Sequence, residues 1–175
     1  MRLALGNDHC GLGIKDHIKG VLDELGVEVT DVGTHTTEPV DFPDITRLVC
    51  EPVRNGEADR GVLLCGTGVG ACIAANKIPG IRAALCHDTF CAHQSVEHDD
   101  VNVLCMGAWI IGPVTAEDVL RTFLGASFHT DEHFRRRVAK LHEMELAAAR
   151  ELALGAEHQA TGTEFEHRAP RSDAS

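Results

Sequence analysis

The stretch Gly61-Val-Leu-Leu-Cys-Gly-Thr-Gly-Val-Gly-Ala-Cys-Ile-Ala-Ala-Asn-Lys77 passes from an apolar run through a cysteine into a glycine-rich turn, and then into a segment of helical composition. Strand, turn and helix in that order form the core of an α/β unit. Gly66, Gly68 and Gly70 let the backbone turn sharply and approach a ligand closely, and the unpaired N–H groups of the helix that follows point at any negative charge held there. The layout builds an anion site with the Cys65 thiol at its mouth.

Outward from this segment, short runs rich in Val, Ile and Leu recur at residues 3–6, 27–32, 61–65, 81–86 and 103–106. Between them, residues 13–25, 44–55, 69–76, 89–97 and 115–124 carry apolar side chains at three- and four-residue spacing. The chain therefore reads β-α-β-α throughout, which predicts an α/β fold: a parallel sheet of about five strands covered by helices on both faces, a three-layer αβα sandwich. After Gly125 a charged stretch leads into a last helix over about 134–154. Its Val138, Leu141, Met144, Ala148 and Leu152 make an apolar stripe of the kind that packs on a partner subunit. Residues 1–154 read as one domain. From Gly155 to Ser175 the composition turns to Gly, Thr, Glu, His, Pro and Ser without periodicity, the signature of a disordered tail.

Composition narrows the function. At 175 residues, 43% hydrophobic and 25% charged, the chain can bury a substantial core. It opens directly on a strand-like run, has no signal-peptide pattern and carries no apolar run near the ~20 residues of a membrane span, so a cytoplasmic protein without a membrane partner is expected. Seven scattered cysteines with no C-x-x-C pair read as reduced thiols rather than a disulfide framework or a zinc knuckle. A formal net charge of −11 disfavours nucleic acid as a partner. Among eleven histidines, His129 with His133 and His93 with Glu97 have helical i,i+4 spacing, but neither pair has an obvious third ligand, and no metal is expected.

In open parallel sheets ligands bind beyond the carboxyl ends of the strands, where Asp8-His9, Cys65-Gly-Thr67 and His87-Asp88 fall. Cys65, at a strand end beside a helix N-terminus, has its thiolate favoured by the helix dipole, which makes it a candidate base or nucleophile; the competing reading is a small buried apolar side chain. Thr67 either bonds a substrate oxygen or caps the helix. His98 ends a helix among Glu97, Asp99 and Asp100, and either moves protons or pairs with its neighbours. Arg135, Arg136 and Arg137 open the last helix, where positive charge opposes the dipole; one can bind an anion while the others pair with Asp131, Glu132 or Glu143. A rival reading takes Gly66-Thr-Gly-Val-Gly-Ala71 as a dinucleotide fingerprint with Asp88 at the ribose, although this loop follows the third strand rather than the first.

Taken together, Gly6-Asn-Asp-His9, Asp41-Phe-Pro43, Cys65-Gly-Thr-Gly-Val-Gly70, Ala74-Ala-Asn-Lys77, Gly80-Ile-Arg-Ala83 and His98-Asp-Asp-Val-Asn-Val103 resemble the ribose-5-phosphate isomerase B family, which includes galactose-6-phosphate isomerase subunits. The resemblance implies a Rossmann-like sandwich, a homodimer or dimer of dimers with sites shared across the interface, and no metal or cofactor. By position it implies an aldose–ketose isomerase of a four- to six-carbon sugar phosphate, with Cys65 as the base. Thr67 and His98 would open the ring, Gly66, Gly68 and Gly70 would hold the enediolate oxygens, and Asp8 would bind hydroxyls. His9 and Arg137 would contact the phosphate, and Asp99 would lie beside the sugar.

The chain departs from the family at Gly107-Ala-Trp109, where Gly-Ser/Ala-Arg is usual, at Asp131-Glu-His-Phe134, where Gly-Gly-Arg-His is usual, and at Asp99, usually asparagine. Each arginine–phosphate contact is worth on the order of 1.5–3 kcal/mol, so Trp109 and His133 in place of two arginines keep an unphosphorylated sugar open as an alternative substrate. A nucleotide-binding protein without turnover is the third reading.

Overall fold

Along the central strands successive side chains point to opposite faces, and each set is buried under a different layer of helices. In the computed structural model, which describes residues 1–160 and side chains as far as Leu154, the order is β1 (Arg2–Asn7), α1 (Leu12–Glu24), β2 (Glu28–Asp31), α2 (Phe42–Arg54), β3 (Arg60–Cys65) and α3 (Val69–Ala75). Then come β4 (Ala83–Leu85), α4 (Thr89–Asp99), β5 (Val103–Gly107), α5 (Pro113–Gly125) and α6 (Glu132–Ala160). Leu3, Leu5, Val62, Leu64, Leu104 and Met106 face α1, α4 and α5, while Ala4, Leu63, Val103 and Cys105 face α2 and α3. The largest fully buried side chain is Phe123 on α5, whose burial contributes roughly 2–3 kcal/mol. This is the three-layer sandwich that the alternation predicts.

The five strands are all parallel, in the order β2-β1-β3-β5-β4. The chain leaves β1 for α1 on one face and leaves β3 for α3 on the other, so a crevice opens where these two neighbouring strands end. That is the switch point at which parallel sheets bind ligands. The outer end of β2 is held by charge. Lys15 Nζ, buried on α1, lies 3.0 Å from Asp31 Oδ1 and donates to the Thr34 carbonyl, while Lys19 donates to Asp31 Oδ2 at 3.0 Å.

Element boundaries differ from the sequence expectation for local reasons. Both α2 and α5 start two residues early because a proline occupies the first turn, where its missing N–H costs nothing. The fourth strand shortens to Ala83–Leu85 because the Arg82 N–H donates to the Asn102 side chain instead of a strand carbonyl. The last helix runs to Ala160, six residues past the expected end, and the remainder of the expected tail, 161–175, lies outside the described residues. Met1–Val138 form one compact unit and the chain from Ala139 a second, in which Leu141, Met144 and Leu152 are exposed. No helix among the described residues is long and apolar enough to cross a membrane.

Candidate active site

Asp8 follows β1 directly, and its backbone N–H donates to the Leu64 carbonyl of β3 at 3.1 Å, tying the two strand ends together. Its carboxylate is buried, with Oδ1 accepting the Cys10 and Gly11 N–H groups at 2.9 Å each, which caps the turn into α1. His9 is half-buried, its Nδ1 accepting the Val40 N–H at 3.3 Å from the loop after β2. Cys65 ends β3 next door. Burial pushes its thiol pKa up, a hydrogen bond to Asp8 adds to the rise, and the N–H groups of Gly68 and Gly66 oppose it without prevailing. The expectation of a dipole-favoured thiolate is therefore corrected. The helix behind the loop is only seven residues long, and a half-buried sulfur beside a carboxylate keeps its proton.

The glycine loop wraps this sulfur. Gly68 sits at φ +78 as the N-cap of α3, a left-handed conformation that a side chain would strain, and a Cβ there would lie 2.5 Å from Leu85 Cδ1. Thr67 is exposed, and its Oγ1 accepts the N–H of Val69, the first residue of α3, in a long bond of 3.4 Å. The Trp109 indole lies against Gly66, the Trp109 backbone N–H donates to the Gly66 carbonyl at 3.0 Å, and Phe42 lies against Gly70. Asp8, His9, Cys65, Gly66, Thr67, Gly68 and Gly70 thus gather at or just beyond the ends of the neighbouring strands β1 and β3.

His98, Asp99 and Arg137 do not join them. From Thr89, α4 carries the chain back toward the starts of the strands, and at about 1.5 Å per residue His98 lies roughly 14 Å from the Cys65 end of the sheet. There the His98 ring stacks on buried Phe134, with centroids 4.3 Å apart at 21°, and its Nε2 is 3.5 Å from Glu97 Oε2. His133 and His129 close on the same phenyl ring at 3.9 and 5.2 Å, and the His129 N–H donates to the Glu97 carbonyl at 2.9 Å. Arg136 pairs with Glu132 at 3.1 Å, whereas Arg137 is exposed and makes no ion pair among the described residues. Phe134, the ring that gathers these histidines, is the residue of this cluster that sequence reasoning missed. An aromatic at the head of a charged helix was its only signal.

The other sequence-level candidates resolve locally. Asp88, which a dinucleotide site would need at a ribose, accepts the Cys91 N–H at 2.8 Å and caps α4. His93 pairs with Glu97 at 3.4 Å and His129 with Asp131 at 3.6 Å, so the two i,i+4 pairs are engaged separately. Asp8, His9 and Cys10 bring three donor atoms within 4.8 Å, but Asp8 Oδ1 is already committed to capping.

The family model described as Ribose/Galactose Isomerase matches residues 3–141, a span that includes both groups of residues. The chain belongs to the ribose/galactose isomerase family. Ribose-5-phosphate isomerase B of Escherichia coli is 42% identical over 135 residues, which are 77% of this chain and 91% of that protein. A D-erythrulose-4-phosphate isomerase of Pectobacterium atrosepticum is 38% identical over 130 residues, 73% and 85% of the two chains. The structure of Clostridium thermocellum ribose-5-phosphate isomerase B superposes with a TM-score of 0.82 at 44% identity, covering 85% of this chain and 99% of that one. Membership makes this protein an aldose–ketose isomerase, as the sequence resemblance implies. Within the family fold, Trp109 stands in the crevice with Cys65, and His133 with His98 at the far end.

Proposed function

We propose that this isomerase interconverts an aldose phosphate and a ketose phosphate of four to six carbons through a cis-enediolate, in a site assembled from two copies of the chain. The observation that carries the chemistry is the Cys65 sulfur, set between the Asp8 carboxylate and the N–H groups of Gly66 and Gly68 at the switch point of the sheet. As thiolate it takes the proton from C2 of the aldose and returns it to C1, while the hydroxyl proton passes from O2 to O1. The loop N–H groups, with Gly70, stabilise the negative oxygen that develops between the two transfers. Asp8 binds a sugar hydroxyl, and Thr67 and His98 open a cyclic substrate. His9 and Arg137 take the phosphate, with Asp99 beside the sugar.

Two copies are required because hydrogen-bonded proton transfer needs contacts of about 3 Å, far less than the separation of His98 from Cys65 within one chain. A two-fold axis perpendicular to the strands reverses their direction and sets the Cys65 end of one copy beside the His98 end of the other. Edge strand β4 suits such pairing, with Ile73 of α3 and Phe90 of α4 exposed on the flanking helices. The exposed Trp109 indole favours a second reading, a free sugar stacked on the ring.

Proton exchange followed by NMR in D₂O tests the proposal, with ribose 5-phosphate, erythrose 4-phosphate, allose 6-phosphate and their unphosphorylated counterparts as substrates. Deuterium entering C2 of the phosphorylated aldoses supports it; exchange confined to the free sugars selects the second reading.

A further inference from the structure

The fourth strand stops at Leu85, and its ladder to β5 closes with the Cys86 N–H donating to the Cys105 carbonyl at 3.1 Å. The next donor on that side of β5 is the Gly107 N–H, beyond the last residue of β4. Its acceptor is a side chain: His87 Nε2, 3.0 Å away. An imidazole nitrogen thus completes the sheet where a longer strand would supply a carbonyl.

Gly107 is also the residue on which the catalytic loop rests. It is the register partner of Cys65, and a Cβ built on it would lie 2.6 Å from both C and O of Thr67 and 2.9 Å from the Gly66 carbonyl oxygen. No side chain fits there, and the two backbones are in direct contact. The Gly107 carbonyl accepts the N–H groups of Ile110 and Ile111 at 3.0 and 3.1 Å, which fixes the turn that carries Trp109. One residue, Gly107, links His87 to Cys65, Thr67 and the turn that carries Trp109.

We propose that His87 is a positioning residue: its neutral Nε2 holds Gly107, and through Gly107 the loop at residues 66–68, in the geometry the reaction needs, so that protonating His87 disables the site without touching substrate. The activity part of this inference rests on the isomerase reading. To accept the Gly107 N–H, the ring carries its proton on Nδ1. An imidazolium has no lone pair, so protonation sets N–H against N–H and leaves a buried donor without an acceptor. Burial lowers the His87 pKa below its ordinary value of 6.5, and the Asp88 carboxylate works in the opposite direction. The bond is therefore intact at neutral pH and lost as pH falls through the lowered value. The charged group acting on the ring is Asp88 at the head of α4, to which the Cys91 thiol is hydrogen-bonded, and on β3 the register partner of Gly107 is Cys65, whose pKa is raised.

His87→Gln keeps an acceptor near the Nε2 position but cannot titrate, and His87→Leu keeps bulk without an acceptor. In the unmodified protein kcat falls with a two-proton slope at acid pH, one proton for Cys65 and one for His87. The Gln variant retains the neutral-pH rate and shows a one-proton slope, and the Leu variant loses about tenfold or more in kcat at neutral pH with a smaller change in KM. An arm independent of turnover follows the Gly107 amide by ¹⁵N–¹H NMR: its shift titrates together with the His87 ring and stands still in the Gln variant. A Gly107 amide that ignores the His87 titration, or a Gln variant that keeps the second acid step, overturns the proposal. Failure of turnover on every sugar with the amide titration intact overturns the isomerase reading and supports the His87–Gly107 link.

Discussion

Mixing two inactive variants gives the sharpest test of a site built from two chains. Cys65→Ala removes the proposed base, and His98→Asn removes the proposed ring-opening group at the opposite end of the sheet, roughly 14 Å away by the rise of α4. Each alone lowers kcat on ribose 5-phosphate, a substrate that must open its ring, by about 10²–10⁴-fold. In a mixed dimer, one site combines the intact Cys65 of one chain with the intact His98 of the other, and the second site carries both defects. Random pairing makes half of all dimers mixed, so an equimolar mixture after subunit exchange recovers about a quarter of the unmodified activity, and doubly tagged, purified mixed dimers about half. The assay is a coupled ketose readout before and after exchange, with gel filtration to confirm that the assembly is unchanged. If the mixture never exceeds the average of the two single variants while mixed dimers demonstrably form, Cys65 and His98 do not share a site and the two-chain reading is refuted.

Other expectations follow from single residues. Because the Cys65 pKa is raised and the thiolate is the reactive form, the rate climbs with pH beyond the ordinary thiol range; a profile flat from neutral to alkaline pH places the base elsewhere. Trp109→Arg puts a guanidinium at the crevice beside Gly66 and lowers KM for a sugar phosphate by about tenfold or more, but not for the free sugar; equal effects on both remove phosphate recognition from this position. Lys15→Ala leaves the Asp31 carboxylate with Lys19 alone and costs about 3 kcal/mol, a Tm loss of roughly 6–12 °C by calorimetry. Burial works to raise the Asp31 pKa, but Lys15, Lys19 and the Gly33 N–H outweigh it and hold the group below its ordinary value. Its contribution is therefore present above that value and lost as pH falls through the lowered one, so the Lys15→Ala penalty shrinks in acid.

Much of the fold was legible because its signals are local. Alternating residues such as Leu3, Ala4 and Leu5 mark a strand buried on both faces, and three- and four-residue spacing marks the helices; both periods belong to the backbone itself. The glycine loop and the cysteine before it were legible for the same reason, since a turn between strand and helix demands small residues within a few positions. Where the sequence reading went astray, a distant residue had intervened. Burial under the packed layers, with Asp8, 57 positions earlier in the chain, adding to it, reversed the expected ionisation of the Cys65 thiol, and Asn102 shortened β4 by taking the Arg82 N–H.

Placement of the site was a tertiary matter. His98 and Cys65 both read as residues next to strands, but the direction in which α4 returns across the sheet decides that they lie at opposite ends, and only strand order reveals it. Phe134 meets His98 at a separation of 36 positions, and His87 meets Gly107 at 20, pairings that no periodicity announces. The sequence by itself determined the element order, the parallel sheet and the chemistry available at each strand end, because those follow from local backbone geometry and side-chain type. The tertiary structure decided which groups meet and which protons they keep, because contact and desolvation depend on neighbours brought together by packing.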